Sequence, residues 1–290
     1  MSLSMTQAKK TEPGAVHLTL AHSPDSDDAF MFYALATRKI PTGHLRFTHQ
    51  LEDIETLNQK AREGVYDITA VSFHAYAYLA DRYLLFTSGA SFGDGYGPMI
   101  VSRASLNREE LRGKRVAIPG KMTTAYLALQ LYEPTIEPIE VPFDQILKKV
   151  TEGEADAGVI IHEGQLTYGA HGLKKLVDLG EWWKRETGSP LPLGGNVIRR
   201  ALAAEIRREA SRLLKASIEF ALQHREAALG YALQFARGLD AAGGDQFVAM
   251  YVNHWTLDCG EAGRLAIQAL LDRGHAAGII PSAARAEFVE

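Results

Sequence analysis

The sequence predicts an α/β protein of two lobes joined by a hinge, with a ligand cleft between them. Three observations predict it. Short apolar strands alternate with helices in two consecutive runs, the pattern of βα units. The chain crosses between the runs twice, near 97–103 and near 191–197. A helical tail follows the second crossing and has room to pack back on the first lobe. A length of 290 residues suits about two domains at roughly 150 residues each.

The first run opens with a strand over 16–21. The hexapeptide Ser23-Pro24-Asp25-Ser26-Asp27-Asp28 is a turn rich in N-cap residues, whose oxygens accept the orphan N–H groups of a helix over 29–36. A strand over 45–51 and a helix over 54–63 closed by Gly64 follow. Next come a strand over 67–71, a short aromatic helix over 72–79 and a strand over 84–88. A glycine-rich stretch, 89–97, then leads into a strand over 98–103. The second run places strands over 114–118, 137–141, 155–161 and 173–179. Its helices lie over 123–132, 143–151, 163–168 and 180–187. Pro190-Leu191-Pro192-Leu193-Gly194-Gly195 is a linker signal. Beyond it, Ile206, Ala210, Leu213, Leu214, Ser217, Ile218, Ala221 and Leu222 keep the helical period of a core-facing stripe. Two more helices are expected over 245–257 and 261–274. The lobes so defined are 16–100 with 196–290, and 101–195, after a polar tail over 1–15.

Composition bounds the function. Apolar residues make up 46% and charged residues 23%, the balance of a globular protein rather than a disordered, coiled-coil or collagen-like chain. The formal net charge of −4 argues against nonspecific nucleic-acid binding, which needs basic patches. No run approaches the ~18 apolar residues that span a bilayer, so no membrane partner is expected. One cysteine, Cys259, allows no internal disulfide and no CxxC metal site. The first fifteen residues lack the apolar segment of a signal peptide. Together these point to the cytoplasm. A small-molecule substrate is the expected partner; the oligomeric state is not set by the sequence.

In open α/β sheets ligands bind beyond the carboxyl ends of the strands. Those ends carry His22, Ser23 and Asp25; Glu52 and Asp53; Ser72, His74 and Tyr76; Pro119 to Thr124; Pro142; and His162 with Glu163. Asp25 is a candidate substrate contact there. His162 is the sharpest single residue. It is the first ionisable group after the apolar run 157–161, and an imidazole suits proton transfer near neutrality. The alternative is a histidine that merely caps a loop. The segment Gly120-Lys121-Met122-Thr123-Thr124-Ala125 lacks the spacing of a Walker motif. It presents hydroxyls and N–H groups at a helix N-terminus, which suits a carboxylate; a plain cap by Thr123 is the other reading. Asp25, Asp27 and Asp28 lie together but lack convergent partners, so no metal is expected. Phe73, Tyr76, Tyr78, Trp182 and Trp183 are candidate stacking or core residues.

These stretches carry a resemblance. Ser23 to Phe30, Leu51-Glu52-Asp53-Ile54-Glu55-Thr56-Leu57-Asn58, Val71 to Ala77, Ile118 to Ala125, Ile160-Ile161-His162-Glu163 and Leu191-Pro192-Leu193-Gly194 resemble the 1,4-dihydroxy-6-naphthoate synthases of the futalosine route to menaquinone. The resemblance covers nearly the whole chain after Val16. It implies the two-lobed fold of type II periplasmic binding proteins. It also implies conversion of cyclic dehypoxanthine futalosine to the naphthoate and a small sugar-derived fragment, with no cofactor. His162 would be the catalytic histidine, and Ala70, Val71, Ser72, Thr123 and Thr124 would be substrate contacts. The first loop departs from the family's Ser-Pro-Cys-Pro-Asn-Asp, and Ala70 stands where a lysine can occur. Two rival readings share the fold. A transport solute-binding protein would need export or an anchor. A chorismate dehydratase of the same pathway is disfavoured by the Ile-Ile-His-Glu segment.

Overall fold

The computed structural model describes residues 14–236 and 239–290; most of the predicted N-terminal tail, 1–13, lies outside them. In the first run, β1 (Val16–His22), α1 (Ser26–Ala36), β2 (Leu45–Leu51), α2 (Ile54–Glu63), β3 (Ile68–Ser72) and the single turn α3 (Phe73–Tyr76) follow one another. Then come β4 (Tyr83–Leu85) and β5 (Ser91–Gly93). The second run holds β6 (Met99–Ser102), β7 (Arg115–Ile118), α4 (Thr124–Tyr132), β8 (Glu137–Glu140), α5 (Ile146–Thr151), β9 (Ala157–Ile160), α6 (Gly164–Thr167), β10 (Lys174–Asp178) and α7 (Leu179–Thr187). It is followed by β11 (Leu191–Arg199), α8 (Ala204–Gln223), α9 (Arg225–Ala232), α10 (Ala241–Tyr251), α11 (His254–Leu257) and α12 (Gly260–Ala276).

Two sheets result. One has the order β2-β1-β3-β11-β4, with β5 also paired to β11. The other has the order β10-β6-β9-β7-β8. Parallel neighbours β1, β2 and β3 come from βα units, as do β7, β8 and β9. Antiparallel β11 and β6 are the strands that carry the chain across. The chain therefore changes sheet between β5 and β6 and returns between α7 and β11.

Local chemistry sets the boundaries. Asp53 Oδ1 accepts from the N–H groups of Glu55 and Thr56 and so starts α2. Gly64, left-handed at φ +70°, ends it. At α1 the expected cap is not made by the N-cap residue, since Asp25 gives no side-chain cap bond. Asp28 Oδ2 instead accepts from the N–H of Ser23 and folds the loop back on the helix start. The expected linker at 190–195 is instead the start of β11. Pro192 is tolerated because the β11–β5 pairing shifts register between Pro192 and Gly194. The expected helix over 245–257 is two helices, broken where Asn253 caps α11 through a capping box with Thr256.

Apolar faces unite the parts. Phe30, Phe32, Leu213, Leu214 and Ile218 bury one core between α1, α8 and the first sheet. A second core runs across both sheets and joins Val71, Phe73 and Phe92 to Val116, Leu127 and Trp183, with Leu270 and Leu271 of α12 between them. The last helix thus packs on both lobes, because its buried stripe is wide enough to serve both.

Candidate active site

The carboxyl ends of β1, β3 and β7 meet at a cavity between the sheets. Asp25, Ala70, Val71, Ser72, Thr123 and Thr124 all line it, with Asp27 and Asp28 of α1, Gly194 to Asn196 of β11, and Phe247 and Tyr251 of α10. None of the described lining residues is Lys, Arg or His. The α10 residues carried no sequence signal, because Phe247 and Tyr251 sit on a helical stripe that reads as core.

Each wall is pinned from behind. Asn58, fully buried on α2, accepts from the Ser72 N–H at 2.9 Å and donates to Ser72 Oγ at 3.2 Å. With its oxygen already accepting, the Ser72 hydroxyl proton is left to donate elsewhere. Thr124 Oγ1 likewise accepts from the His74 N–H at 3.2 Å. Thr123 is different: its hydroxyl donates to Gly120 O at 2.7 Å and accepts from the Tyr126 N–H at 3.2 Å, so it is used as a helix cap. In the first turn of α4 the N–H groups of Thr124 and Ala125 have no intrahelical acceptor. Glu55 Oε2 accepts from the Met122 N–H at 3.0 Å and ties this loop to α2. A Cβ on Gly120, whose φ is +146°, would lie 2.3 Å from that oxygen. A glycine is required there.

The opposite wall is acidic. Burial pushes the Asp28 carboxyl up to about 6, against the opposing pull of its bonds from Ser23. Asp27 is raised well above the usual range by loss of hydration first, then by the charges of Asp28, Asp25 and Glu163. Ser26 Oγ donates across the cleft to Glu163 Oε1 at 3.2 Å.

His162 is placed differently. The described lining of the cavity includes its neighbours Ile161 and Gln165 but not His162. Its Nε2 lies 3.0 Å from Phe143 O and its Nδ1 accepts from the Gly164 N–H at 3.0 Å. A carbonyl can only accept, so Nε2 carries the proton and the ring is the neutral tautomer. Glu163, 1% exposed, brings Oε2 to 3.9 Å from Nδ1. Next to it, Gln165 accepts from the buried Tyr251 hydroxyl at 2.6 Å and donates to Gly97 O at 2.9 Å. Those bonds lock the chain segment that carries His162.

Two sheets, two crossings and a cleft at the strand ends define a periplasmic-binding-protein-like fold. The alkanesulfonate-binding protein of Xanthomonas axonopodis pv. citri superposes with a TM-score of 0.69 at 16% identity, over 94% of this chain and 96% of that one, and so shares the fold. Residues 18–276 match the menaquinone-biosynthesis family, and the chain belongs to that family. A 1,4-dihydroxy-6-naphtoate synthase of Thermus thermophilus is 42% identical over 272 residues, 94% of this chain and 99% of the relative. The enzyme of the same description from Streptomyces coelicolor is 36% identical over 271 residues, covering 91% and 95%.

Proposed function

We propose that this protein is a cytoplasmic 1,4-dihydroxy-6-naphthoate synthase that cleaves cyclic dehypoxanthine futalosine within the inter-lobe cavity. One observation carries the geometric case. Ser72 and Thr124 each hold a neighbour's N–H on the side-chain oxygen, so both hydroxyl protons are available as donors in one buried cavity. A cleavage of retro-aldol character needs such donors where negative charge develops on oxygen. It also needs a base to take a substrate hydroxyl proton.

His162 is our candidate for that base, with Asp25, Ala70, Val71, Ser72, Thr123 and Thr124 holding the substrate. The ring sits just outside the cavity between two residues that line it, and its Nδ1 lone pair is held by the Gly164 N–H. To act, His162 must exchange the Gly164 N–H on its Nδ1 lone pair for the substrate hydroxyl. Catalytic hydrogen bonds commonly form only once substrate is bound.

The test is turnover and substrate binding measured on the same folded protein. Wild type should convert cyclic dehypoxanthine futalosine and leave chorismate unchanged. His162→Asn should lose about 10²–10⁴ in turnover, the usual contribution of a general base, with affinity changed far less. Turnover within about threefold of wild type, equivalent to ~0.65 kcal/mol of barrier, would exclude the base role. Conversion of chorismate instead would assign the chain to the dehydratase branch.

A further inference from the structure

We propose that Ser26 and Tyr251 are positioning residues that reach across the cleft to the turn carrying His162, so that the base is in place only when the two sheets are closed on each other. The proposal rests on the functional reading above for the role of His162. His162 stands just before α6, a single turn of four residues. So short a helix does not hold itself, since helices below about 12–15 residues are marginal alone in water. Its N-cap residue, Glu163, makes no side-chain cap bond. That carboxylate instead accepts from the Ser26 hydroxyl of α1 at 3.2 Å. Next along the turn, Gln165 Oε1 accepts from the Tyr251 hydroxyl of α10 at 2.6 Å. Phe30 of α1 and Val248 of α10 share one core with Leu18 and Leu20 of β1, so both helices belong to the first sheet. α6 follows β9 of the second sheet. Both bonds therefore tie a turn of one sheet to helices of the other.

The directions of these bonds are set by chemistry. Gln165 Nε2 donates to Gly97 O at 2.9 Å and to Ile160 O at 3.3 Å. Carbonyls only accept, so the amide cannot be turned and Oε1 faces Tyr251. Burial pushes the Tyr251 phenol well above its ordinary range and keeps it a donor. The Gln165 N–H in turn donates to His162 O at 2.8 Å, so a shift of Gln165 is passed directly to the histidine. Ser26 is fully buried and is not among the described residues that line the cavity. Its bond to Glu163 thus serves the turn and not the ligand. The bonds from His162 to Phe143 O and from the Gly164 N–H set how the ring is rotated, but all these groups lie on the second-sheet side. Ser72, the donor proposed to act with the base, stands on β3 of the first sheet. The spacing of base and donor is therefore set across the cleft, where Ser26 and Tyr251 act. Closure that completes a catalytic constellation is a common device of enzymes with a cleft.

The experiment uses Tyr251→Phe and Ser26→Ala, each alone and combined with His162→Asn. Tyr251→Phe removes the hydroxyl and keeps the ring that packs on Phe247, 5.1 Å between centroids. Wild-type turnover of cyclic dehypoxanthine futalosine comes first, and its absence overturns the functional reading and this assignment with it. Wild-type turnover without a large loss in His162→Asn removes the base role and again this assignment. Given both, each single variant should lower kcat about tenfold, because misplacing a catalytic group by about 1 Å can cost about 10²-fold. KM should stay within about twofold of wild type. In the His162→Asn background, read by single turnovers at high enzyme concentration, neither change should lower the rate further. A merely structural role would give the same factor in both backgrounds and overturns the proposal. So does a raised KM with kcat unchanged, which would make the residue a ligand contact, and so does kcat within about twofold of wild type. Rates are taken per folded molecule and the two variants are read separately, so that if one fails to fold the other decides.

Discussion

Acid should destabilise this protein through a histidine that does no chemistry. His22, 3% exposed at the end of β1, stacks on Phe32 with ring centroids 4.4 Å apart. Its Nδ1 faces Ser23 O at 2.8 Å and so carries the proton, which leaves the lone pair of Nε2 toward His49 Nδ1 at 3.4 Å. A second proton on His22 would meet the His49 ring. Burial accordingly lowers His22 to about 4, against the opposing pull of the Ser23 carbonyl. The unfolded chain titrates near 6.5. Between those values the unfolded state binds more protons, so stability falls as pH falls from 6.5 toward 4. Integration gives a loss of about 2 kcal/mol between pH 7 and 5 from His22 alone. Raised Asp27 and Asp28 act in the opposite sense over part of this range, because the folded state holds their protons more tightly. A variant comparison removes that background. His22→Phe keeps the stack and abolishes the titration. Urea unfolding followed by fluorescence of the buried Trp182 and Trp183, at pH 7 and pH 5, gives four free energies. Wild type should lose about 2 kcal/mol more than the variant. A difference below about 0.5 kcal/mol, the scatter of such extrapolations, would refute a buried neutral His22.

Other substitutions probe the scaffold of the cleft. Gly180→Ala would put a Cβ 1.8 Å from Tyr96 O in the segment that crosses between the sheets. Overpacking against backbone should destabilise by about 3 kcal/mol or more, read as a lowered urea midpoint; an unchanged midpoint would mean the crossing is not packed this way. Asn58→Ala removes both bonds that hold Ser72. It should cost about 2–3 kcal/mol of stability and lower turnover per folded molecule, and normal turnover would show that Ser72 needs no positioning. Cys259, 1% exposed, has its thiol pushed up to about 11 by burial. Disulfide reagents at pH 8 should label native protein about two orders of magnitude more slowly than protein in urea, and rapid native labelling would contradict that burial.

The parallel βα units were legible because each strand is a short apolar run and each helix carries its own start and stop. The bounds of β2 and α2 follow from such local signals, Asp53 before and Gly64 after the helix. β11 was not legible, because its proline and glycines are turn residues by local chemistry. Their reason is tertiary: a Cβ on Gly194 would lie 3.0 Å from Val71 O of β3. The glycine lets two strands close beside the cavity. The same limit applies to the site. Residues at strand ends were found because position relative to the sheet is a sequence property. The direction of the His162 ring depends on the Phe143 carbonyl, nineteen positions away, and no periodicity encodes that contact.

For the proposed substrate, the charge pattern of the cavity favours one orientation. The first-sheet wall carries Asp25, Asp27 and Asp28, and no cation lines the cavity among the described residues. The start of α4 offers donors in a field that favours an anion, through the N–H groups of Thr124 and Ala125 and the Thr124 hydroxyl. A ligand with a carboxylate at one end and hydroxyls at the other can satisfy both regions by placing the carboxylate at α4. The hydroxyls then meet Asp25 and Asp28 on the opposite wall. The reverse placement would set the carboxylate against those acceptors and leave the helix N-terminus facing groups with no charge. An acceptor-rich wall and a donor-rich helix start thus favour the same pose from opposite sides, with no lysine or arginine among the described lining residues.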